Sequence, residues 1–145
     1  MKKIIYLSLT LIIISCGATK GVTDKKTAVK TELRDNSTFL LKEISTDPTY
    51  GLDQTNPIEV GGVDKEEGPL NEQRFLNALA GPNGEKISYY RAGSCCAVES
   101  ENGFMGVALL DNYRVTWDGT KDTVSIYINM YDYGLLKAPV GFTIR

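Results

Sequence analysis

The sequence predicts an α+β fold in which an antiparallel sheet of about five to six strands packs against one helix, giving two layers. Three observations support this prediction. The second half of the chain alternates apolar and polar residues with period two, which is typical of half-buried strands. Only one segment carries helix signals at both ends. The connections between predicted strands are too short for the crossovers that parallel neighbours require, so we expect antiparallel pairing.

The predicted helix covers residues 68–81, with Pro69 in its first turn and Gly81 at its end. Proline is favoured in the first turn because its missing N–H would lack a helical partner there anyway, and glycine is common just past a helix end. Phe75, Leu76 and Leu79 form an apolar stripe on one side of this segment. We therefore expect this stripe to face the sheet.

Strands are predicted on both sides of the helix. The segments before it are residues 38–45 and 57–61, and those after it include residues 85–91, 104–110 and 141–145. Two further strands have apolar residues at every second position, namely Tyr113, Val115 and Trp117 in one and Val124, Ile126, Ile128 and Met130 in the other. Asp118-Gly119 lies between these two strands and predicts a hairpin.

The N-terminal residues have the pattern of an export signal. Lys2 and Lys3 precede an apolar run over residues 4–14, which is far shorter than the ~20 residues of a spanning helix. The string Ile13-Ile14-Ser15-Cys16-Gly17 that follows resembles the lipobox of bacterial lipoproteins. The resemblance implies cleavage before Cys16 and acylation of Cys16, and several acyl chains anchor a protein firmly.

The sequence thus predicts a signal peptide at residues 1–15, a lipidated flexible tether at 16–37 and a single α+β domain at 38–145. The tether is assigned because residues 17–37 are polar and contain too few apolar residues to fold. Gly17 is not the aspartate associated with retention at the inner membrane. We therefore expect an outer-membrane lipoprotein that faces the periplasm.

Composition excludes several function classes. The chain has no histidine, which rules out Ser-His-Asp, Cys-His and histidine–metal sites, and it has no glycine-rich phosphate loop. Of its 16 basic and 18 acidic residues, Lys2 and Lys3 belong to the signal, so the mature chain has a net charge near −4. This charge does not favour a nucleic-acid partner. We predict no cofactor, no metal site and no catalytic residues.

Cys95 and Cys96 are the only cysteines besides Cys16. Export favours disulfides, so a vicinal disulfide is one interpretation, although adjacent Cα atoms about 3.8 Å apart lie closer than in relaxed disulfides. The favoured interpretation places one cysteine in the core and leaves the other as a free thiol, because neighbours on a strand point to opposite faces.

Arg91 continues the face of Ile87 and Tyr89 and is therefore predicted to point inward. Two interpretations remain open for the polar residues that we expect around it: Asn71, Glu72, Arg91 and Ser94. Glu72 is the expected structural partner of a buried arginine. Alternatively, the group forms a binding site for a small anionic ligand at the start of the helix.

A third group of candidate residues is rich in tyrosine. Tyr127, Tyr131 and Tyr133 are predicted to share one face of the late strands, opposite Ile128 and Met130. They form either an interaction surface or a second, partly buried layer. The aspartates, including Asp111, are expected in or beside turns.

Several motifs resemble a family of small Bacteroidota envelope lipoproteins over about residues 38–145. They are Asn56-Pro57-Ile58, Val60-Gly61-Gly62, Gly68-Pro69, Asn71-Glu72, Arg74-Phe75-Leu76-Asn77, Gly81-Pro82-Asn83-Gly84-Glu85, Arg91 with Gly93-Ser94-Cys95-Cys96, Leu109-Leu110-Asp111 and Tyr127-Ile128-Asn129-Met130-Tyr131-Asp132. Members are often labelled 2-dehydro-3-deoxyphosphooctonate aldolase. That enzyme is a (β/α)₈ barrel of about 250 residues, and this chain is too short and too poor in helices for such a barrel.

Together these features predict a non-enzymatic accessory module that binds an envelope protein or glycan. A thiol-redox or anionic-ligand site at residues 91–96 is the alternative, and an enzyme with the aldolase activity is disfavoured.

Overall fold

The computed structural model describes residues 31–145 of the chain. The predicted signal peptide, Cys16 and the predicted tether up to residue 30 lie outside the described residues. Within residues 31–145, no helix combines the length and apolar character that crossing a membrane requires.

The fold of residues 31–145 is α+β, as predicted, and this part of the chain consists mostly of strands with one α-helix. The elements in chain order are β1 (Leu33–Asp35), β2 (Thr38–Phe39), β3 (Ile58–Glu59), a 3₁₀ turn (Val63–Lys65), α1 (Gly68–Leu76), β4 (Leu79–Ala80), β5 (Ile87–Phe104), β6 (Val107–Trp117), β7 (Val124–Asn129) and β8 (Thr143–Ile144).

The prediction of one antiparallel sheet is wrong. The main sheet has four strands in the order β3-β7-β6-β5, and two separate two-stranded sheets pair β1 with β2 and β4 with β8. The main sheet is mixed, because β3 runs parallel to β7 with Ile58 opposite Ile128. The helix and the β5–β6 hairpin separate these two strands in the sequence and provide the long connection that parallel pairing requires. Short connections between sequence neighbours could not reveal this distant pairing.

The hairpin of β5 and β6 is longer and more continuous than expected. Residues 107–110 of the strand predicted for 104–110 join the one predicted for 113–117 in β6, while Phe104 ends β5 and residues 105–106 form the turn, so the prediction of one strand over 104–110 is wrong there. The strand predicted for residues 85–91 continues through Arg91 and Cys96 to Phe104. The pairing of β5 with β6 shifts at three places, between Arg91 and Gly93, between Cys95 and Ala97, and between Glu99 and Phe104. Such bulges bend a strand without ending it. The Asp118-Gly119 hairpin between β6 and β7 is confirmed by their antiparallel pairing.

Helix α1 begins at Gly68 as predicted but ends at Leu76 instead of residue 81. Leu79 and Ala80 pair with Ile144 and Thr143 as β4 and β8. Pairing with the distant C-terminal strand therefore overrides the helix-forming tendency of these residues.

One core unites the helix with one face of the main sheet. Phe75 and Leu76 from α1 are fully buried, as are Val115, Ile126 and Ile128 from the sheet. Residues four apart on a helix and two apart on a strand share a face, which explains why the predicted apolar stripe meets the alternating strand residues.

The folded domain begins earlier than the predicted boundary at residue 38. Leu33 in β1 pairs with Phe39 in β2, and the Leu40 N–H donates to the Glu32 carbonyl at 2.8 Å. Phe39 belongs to the core. The last part of the predicted tether is therefore a β-hairpin that leads into the core.

Candidate functional site

A cleft of about 480 Å³ opens between α1 and the β5–β6 hairpin. It combines aromatic, charged and apolar groups, which come from α1, from both strands of the hairpin and from the segment after β7. The lining residues are Pro69, Glu72, Gln73, Tyr89, Tyr90, Arg91, Asp111, Tyr113 and Met130.

The polar floor of the cleft follows from the geometry of its elements. Glu72 lies three and four residues before Phe75 and Leu76, so it shares the side of α1 that faces the sheet. Asp111 and Tyr113 are two residues apart on β6, and Arg91 lies opposite Tyr113 on β5. Elements that form the core therefore also bring these side chains together.

Arg91 and Asp111 form a two-point ion pair beside the floor. Arg91 Nε donates to Asp111 Oδ2 at 2.5 Å, and Arg91 Nη2 donates to Asp111 Oδ1 at 2.7 Å. The Ser94 hydroxyl donates to Asp111 Oδ1 at 2.8 Å and accepts from Arg91 Nη2 at 2.6 Å. The Asp111 side chain is 4% exposed and that of Arg91 is 47% exposed. The arginine thus neutralises a buried carboxylate from the rim.

Glu72 is completely buried. The Tyr113 hydroxyl donates to Glu72 Oε2 at 2.8 Å, while Oε1 has no hydrogen-bond donor among the described residues. Burial, with a smaller contribution from the nearby Asp111, raises the pKa of Glu72 to about 8, against the lowering influence of the Tyr113 hydrogen bond and of Arg91. At neutral pH Glu72 therefore holds a proton.

Burial also raises the pKa of Tyr113 well above its usual range, and the adjacent Glu72 adds to the effect. The phenol consequently remains a hydrogen-bond donor to Glu72 at physiological pH. The ring of Tyr113 packs edge-to-face against Tyr89, with 6.0 Å between ring centroids.

Three of the four residues predicted to cluster do so, but with a different partner. Glu72 and Arg91 line the cleft, and Ser94 binds Arg91 beside it. The expected pairing of Arg91 with Glu72 is wrong because Asp111 takes that role. Asp111 was expected in or beside a turn, yet it lies in the middle of β6. Asp111 lies two residues before Tyr113, and this spacing was the signal in the sequence that could have placed it on the buried face of the strand.

Asn71 does not join this cluster. Its side-chain amide donates to the Gly61 carbonyl at 3.1 Å, and its Oδ1 accepts from Arg74 at 2.9 Å. Asn71 therefore fastens α1 to the loop that precedes it. Asn71 is therefore not available at the start of the helix as a donor to a small anionic ligand.

Cys95 and Cys96 are joined by a disulfide, with their Cα atoms 3.8 Å apart. Both residues are half-buried, so the favoured interpretation, with one cysteine in the core and the other a free thiol, does not describe the structure. The physical reason is the bulge at this point, where Cys96 has a positive φ of 50°. A bulge interrupts the strict alternation on which that interpretation depended.

We expect the tryptic peptide of residues 92–114 from unreduced protein to resist alkylation and to be two hydrogens lighter than its dithiol form. The bond between Cys95 and Cys96 is the reason, since this peptide contains no other cysteine. Mass spectrometry of the peptide measures both properties, and a sample reduced before alkylation serves as the control. Two alkylated cysteines in the unreduced sample would contradict the bonded state.

The three tyrosines of the predicted interaction surface do not form one row. Tyr127 lies in β7, but the strand ends at Asn129, whose side-chain oxygen accepts the N–H of Tyr131 at 2.8 Å and that of Asp132 at 3.2 Å. This turn ends the period-two alternation before Tyr131. The prediction of a shared strand face is therefore wrong.

Tyr133 instead packs on the segment after β3. Its hydroxyl donates to Asp64 at 2.6 Å, and its ring covers Gly61. A Cβ atom at Gly61 would lie 2.3 Å from that ring, and the residue has a φ of +62°, so only glycine fits there. The role of Tyr133 in this position is structural.

Comparisons with protein-family models, with curated proteins and with solved structures found no match to this chain. Within residues 31–145, no cluster of three or more histidine, cysteine, aspartate or glutamate side chains could hold a metal ion.

Proposed function

We propose that this protein is a lipid-anchored, non-enzymatic binding module of the bacterial cell envelope and that the cleft beside Glu72 is its ligand site. Acylated Cys16 holds it on the outer membrane, facing the periplasm, and its partner is an envelope protein or glycan. The lipobox-like string around Cys16 supports the anchor.

The observation that carries the ligand site is the Glu72 carboxyl group. It is fully buried at the floor of an open cleft, and one of its oxygen atoms lacks a donor among the described residues. A buried polar atom without a partner costs about 1–3 kcal/mol. Such an atom in a cleft is the kind of group that a bound ligand satisfies.

The charges of the cleft argue against a small anion as the ligand. Arg91 is neutralised by Asp111, and an anion would also meet the carboxyl group of Glu72. The aldolase label gains no support either, because residues 31–145 contain one α-helix where a (β/α)₈ barrel has eight helices around a parallel sheet.

Crosslinking of the full chain in the bacterium that produces it tests both parts of this proposal. Cys16→Ser is expected to release the protein from the membrane fraction, because a thiol is required for acylation. Gln73→Trp places a large side chain at the cleft, so it is expected to leave membrane attachment intact and to remove the formaldehyde-crosslinked species that contain the protein. Gln54→Trp, at an exposed position that does not line the cleft, is the matched control.

Two results would overturn the proposal. Membrane attachment that persists in Cys16→Ser would refute the anchor. Crosslinked species that are the same in Gln73→Trp and Gln54→Trp would refute the cleft as the binding site.

A further inference from the structure

Among the residues that the structure describes, the side chains around Glu72 leave one negative charge without a permanent counter-charge. The titratable groups that face the cleft besides Glu72 come from two strands: Tyr89, Tyr90 and Arg91 from β5, and Asp111 and Tyr113 from β6. Arg91 and Asp111 cancel each other through their two-point pair. When Glu72 ionises, the cleft therefore carries a net charge of about −1, buried at its floor.

A buried carboxylate is stable only when a proton or a positive charge compensates it. Tyr113 satisfies Oε2 of Glu72, while Oε1 is the oxygen without a donor among the described residues. An ammonium group has three N–H donors and one positive charge, which match the hydrogen bond and the charge that Glu72 lacks. Occupation by an ammonium group would replace the proton.

The walls of the cleft suit the same kind of group. Tyr89 and Tyr113 line it with two aromatic rings in an edge-to-face pair. Aromatic faces attract cations, most strongly where water is excluded. Met130 and Pro69 add apolar surface that can pack against the carbon chain of an alkyl amine.

From these observations we infer that the cleft binds a ligand through a primary ammonium group placed against Glu72 and the tyrosine rings. The inference rests on the proposed function of the cleft as a ligand site and specifies the chemistry of that ligand. A lysine side chain or an amino sugar with a free amine carries such a group, whereas a neutral or N-acetylated sugar does not.

The test uses the mature, lipid-anchored protein in detergent micelles, with butylammonium as the probe and 1-butanol as its neutral isostere. NMR titration measures affinity between pH 6 and 9, a range in which the alkyl amine keeps its charge. Because binding displaces the proton of Glu72, whose pKa is about 8, butylammonium affinity should rise about tenfold per pH unit below pH 8 and level off above it. Affinity for 1-butanol should be weaker and independent of pH.

Calorimetry at pH 7 in two buffers of different ionisation enthalpy provides a second readout on the unmodified protein. Nearly one proton should be released for each butylammonium bound. Glu72→Gln should weaken butylammonium binding at least tenfold at pH 8 and abolish its pH dependence, while Glu101→Gln, at an exposed position in the hairpin, should change neither. If Glu72→Gln does not fold, the proton release measured on the unmodified protein still shows whether butylammonium binding displaces the proton of Glu72.

The inference fails if butylammonium binds no more tightly than 1-butanol or binds without proton release. Crosslinking with Gln73→Trp distinguishes failure of the ammonium inference alone from failure of the cleft as a ligand site. Loss of crosslinked species in that variant together with a failed ammonium test would leave the cleft as the site of a neutral ligand. Failure of both tests would remove the cleft from the function altogether.

Discussion

Replacing Glu72 with glutamine is expected to remove most of the decline in stability of the protein between about pH 4.5 and pH 8. In the unfolded chain this carboxyl group ionises near its ordinary pKa of 4.5, whereas in the folded protein its pKa is about 8. Between these values the folded state holds one proton more than the unfolded state. The free energy of unfolding therefore falls by about 1.4 kcal/mol per pH unit across this window.

The sign follows from the direction of the shift. The contribution of Glu72 is fully present below about pH 4.5, is lost as the pH rises and is exhausted above about pH 8. Turn carboxylates behave in the opposite way. The pKa values of Asp47 and Asp53 are lowered by hydrogen bonds from Thr49 and Thr55, so their contribution is lost only as the pH falls below about 4. The two effects occupy separate ranges of pH.

Urea denaturation at half-unit steps from pH 5 to pH 8.5 measures this slope. Glutamine keeps an oxygen that accepts from Tyr113 and resembles the protonated acid, so Glu72→Gln should be nearly flat where the unmodified protein declines. Glu101→Gln is the control and should retain the decline, since Glu101 is exposed. An unmodified protein with constant stability from pH 5 to pH 8 would show that Glu72 ionises normally.

The second large effect is expected for Phe75→Ala, which should lower the free energy of unfolding by about 3–5 kcal/mol. Phe75 is completely buried where α1 meets the sheet, and its removal leaves a cavity that the neighbouring side chains can fill only in part. Leu70→Ala is the matched control on the same helix. Leu70 is 41% exposed, so its substitution should cost less than about 1 kcal/mol.

Guanidinium unfolding of both variants at one pH measures the difference in unfolding free energy. An unchanged slope of this free energy against guanidinium concentration would show that the same two-state transition is being compared. If Phe75→Ala does not fold at all, Phe75→Leu should still show a measurable loss. Equal losses for Phe75→Ala and Leu70→Ala would contradict the assignment of the buried side of α1.

Local patterns predicted the parts of the fold that depend on nearby residues. The start of α1 at Gly68, the β6–β7 hairpin at Asp118-Gly119 and the buried side of β7 all follow from turn chemistry or period-two alternation. Pairings between distant segments were not visible in this way. The end of α1 at Leu76 depends on the pairing of β4 with β8, more than sixty residues further along the chain.

In the candidate site, too, local patterns predicted some residues, and features that depend on pairing with another strand were missed. Arg91 could be selected from the sequence because it continues an apolar face with a charged residue, and Glu72 because it lies on the predicted helix as the expected partner of Arg91. Asp111 was missed because a polar residue between two apolar runs resembles a turn, although it lies within one continuous strand. The disulfide of Cys95 and Cys96 depends on a bulge in β5, and the position of a bulge follows from the register with the neighbouring strand.

The bulges of β5 also bear on self-association. β5 is the outermost strand of the main sheet, and a straight strand of eighteen residues in that position would offer a long ladder of N–H and C=O groups to a second molecule. Three breaks in its pairing with β6, one of them at the disulfide, bend the strand along its length. A second copy would therefore meet an interrupted edge and not one regular strand of eighteen residues. For a protein proposed to be concentrated on a membrane surface, this irregularity is a built-in barrier to polymerisation.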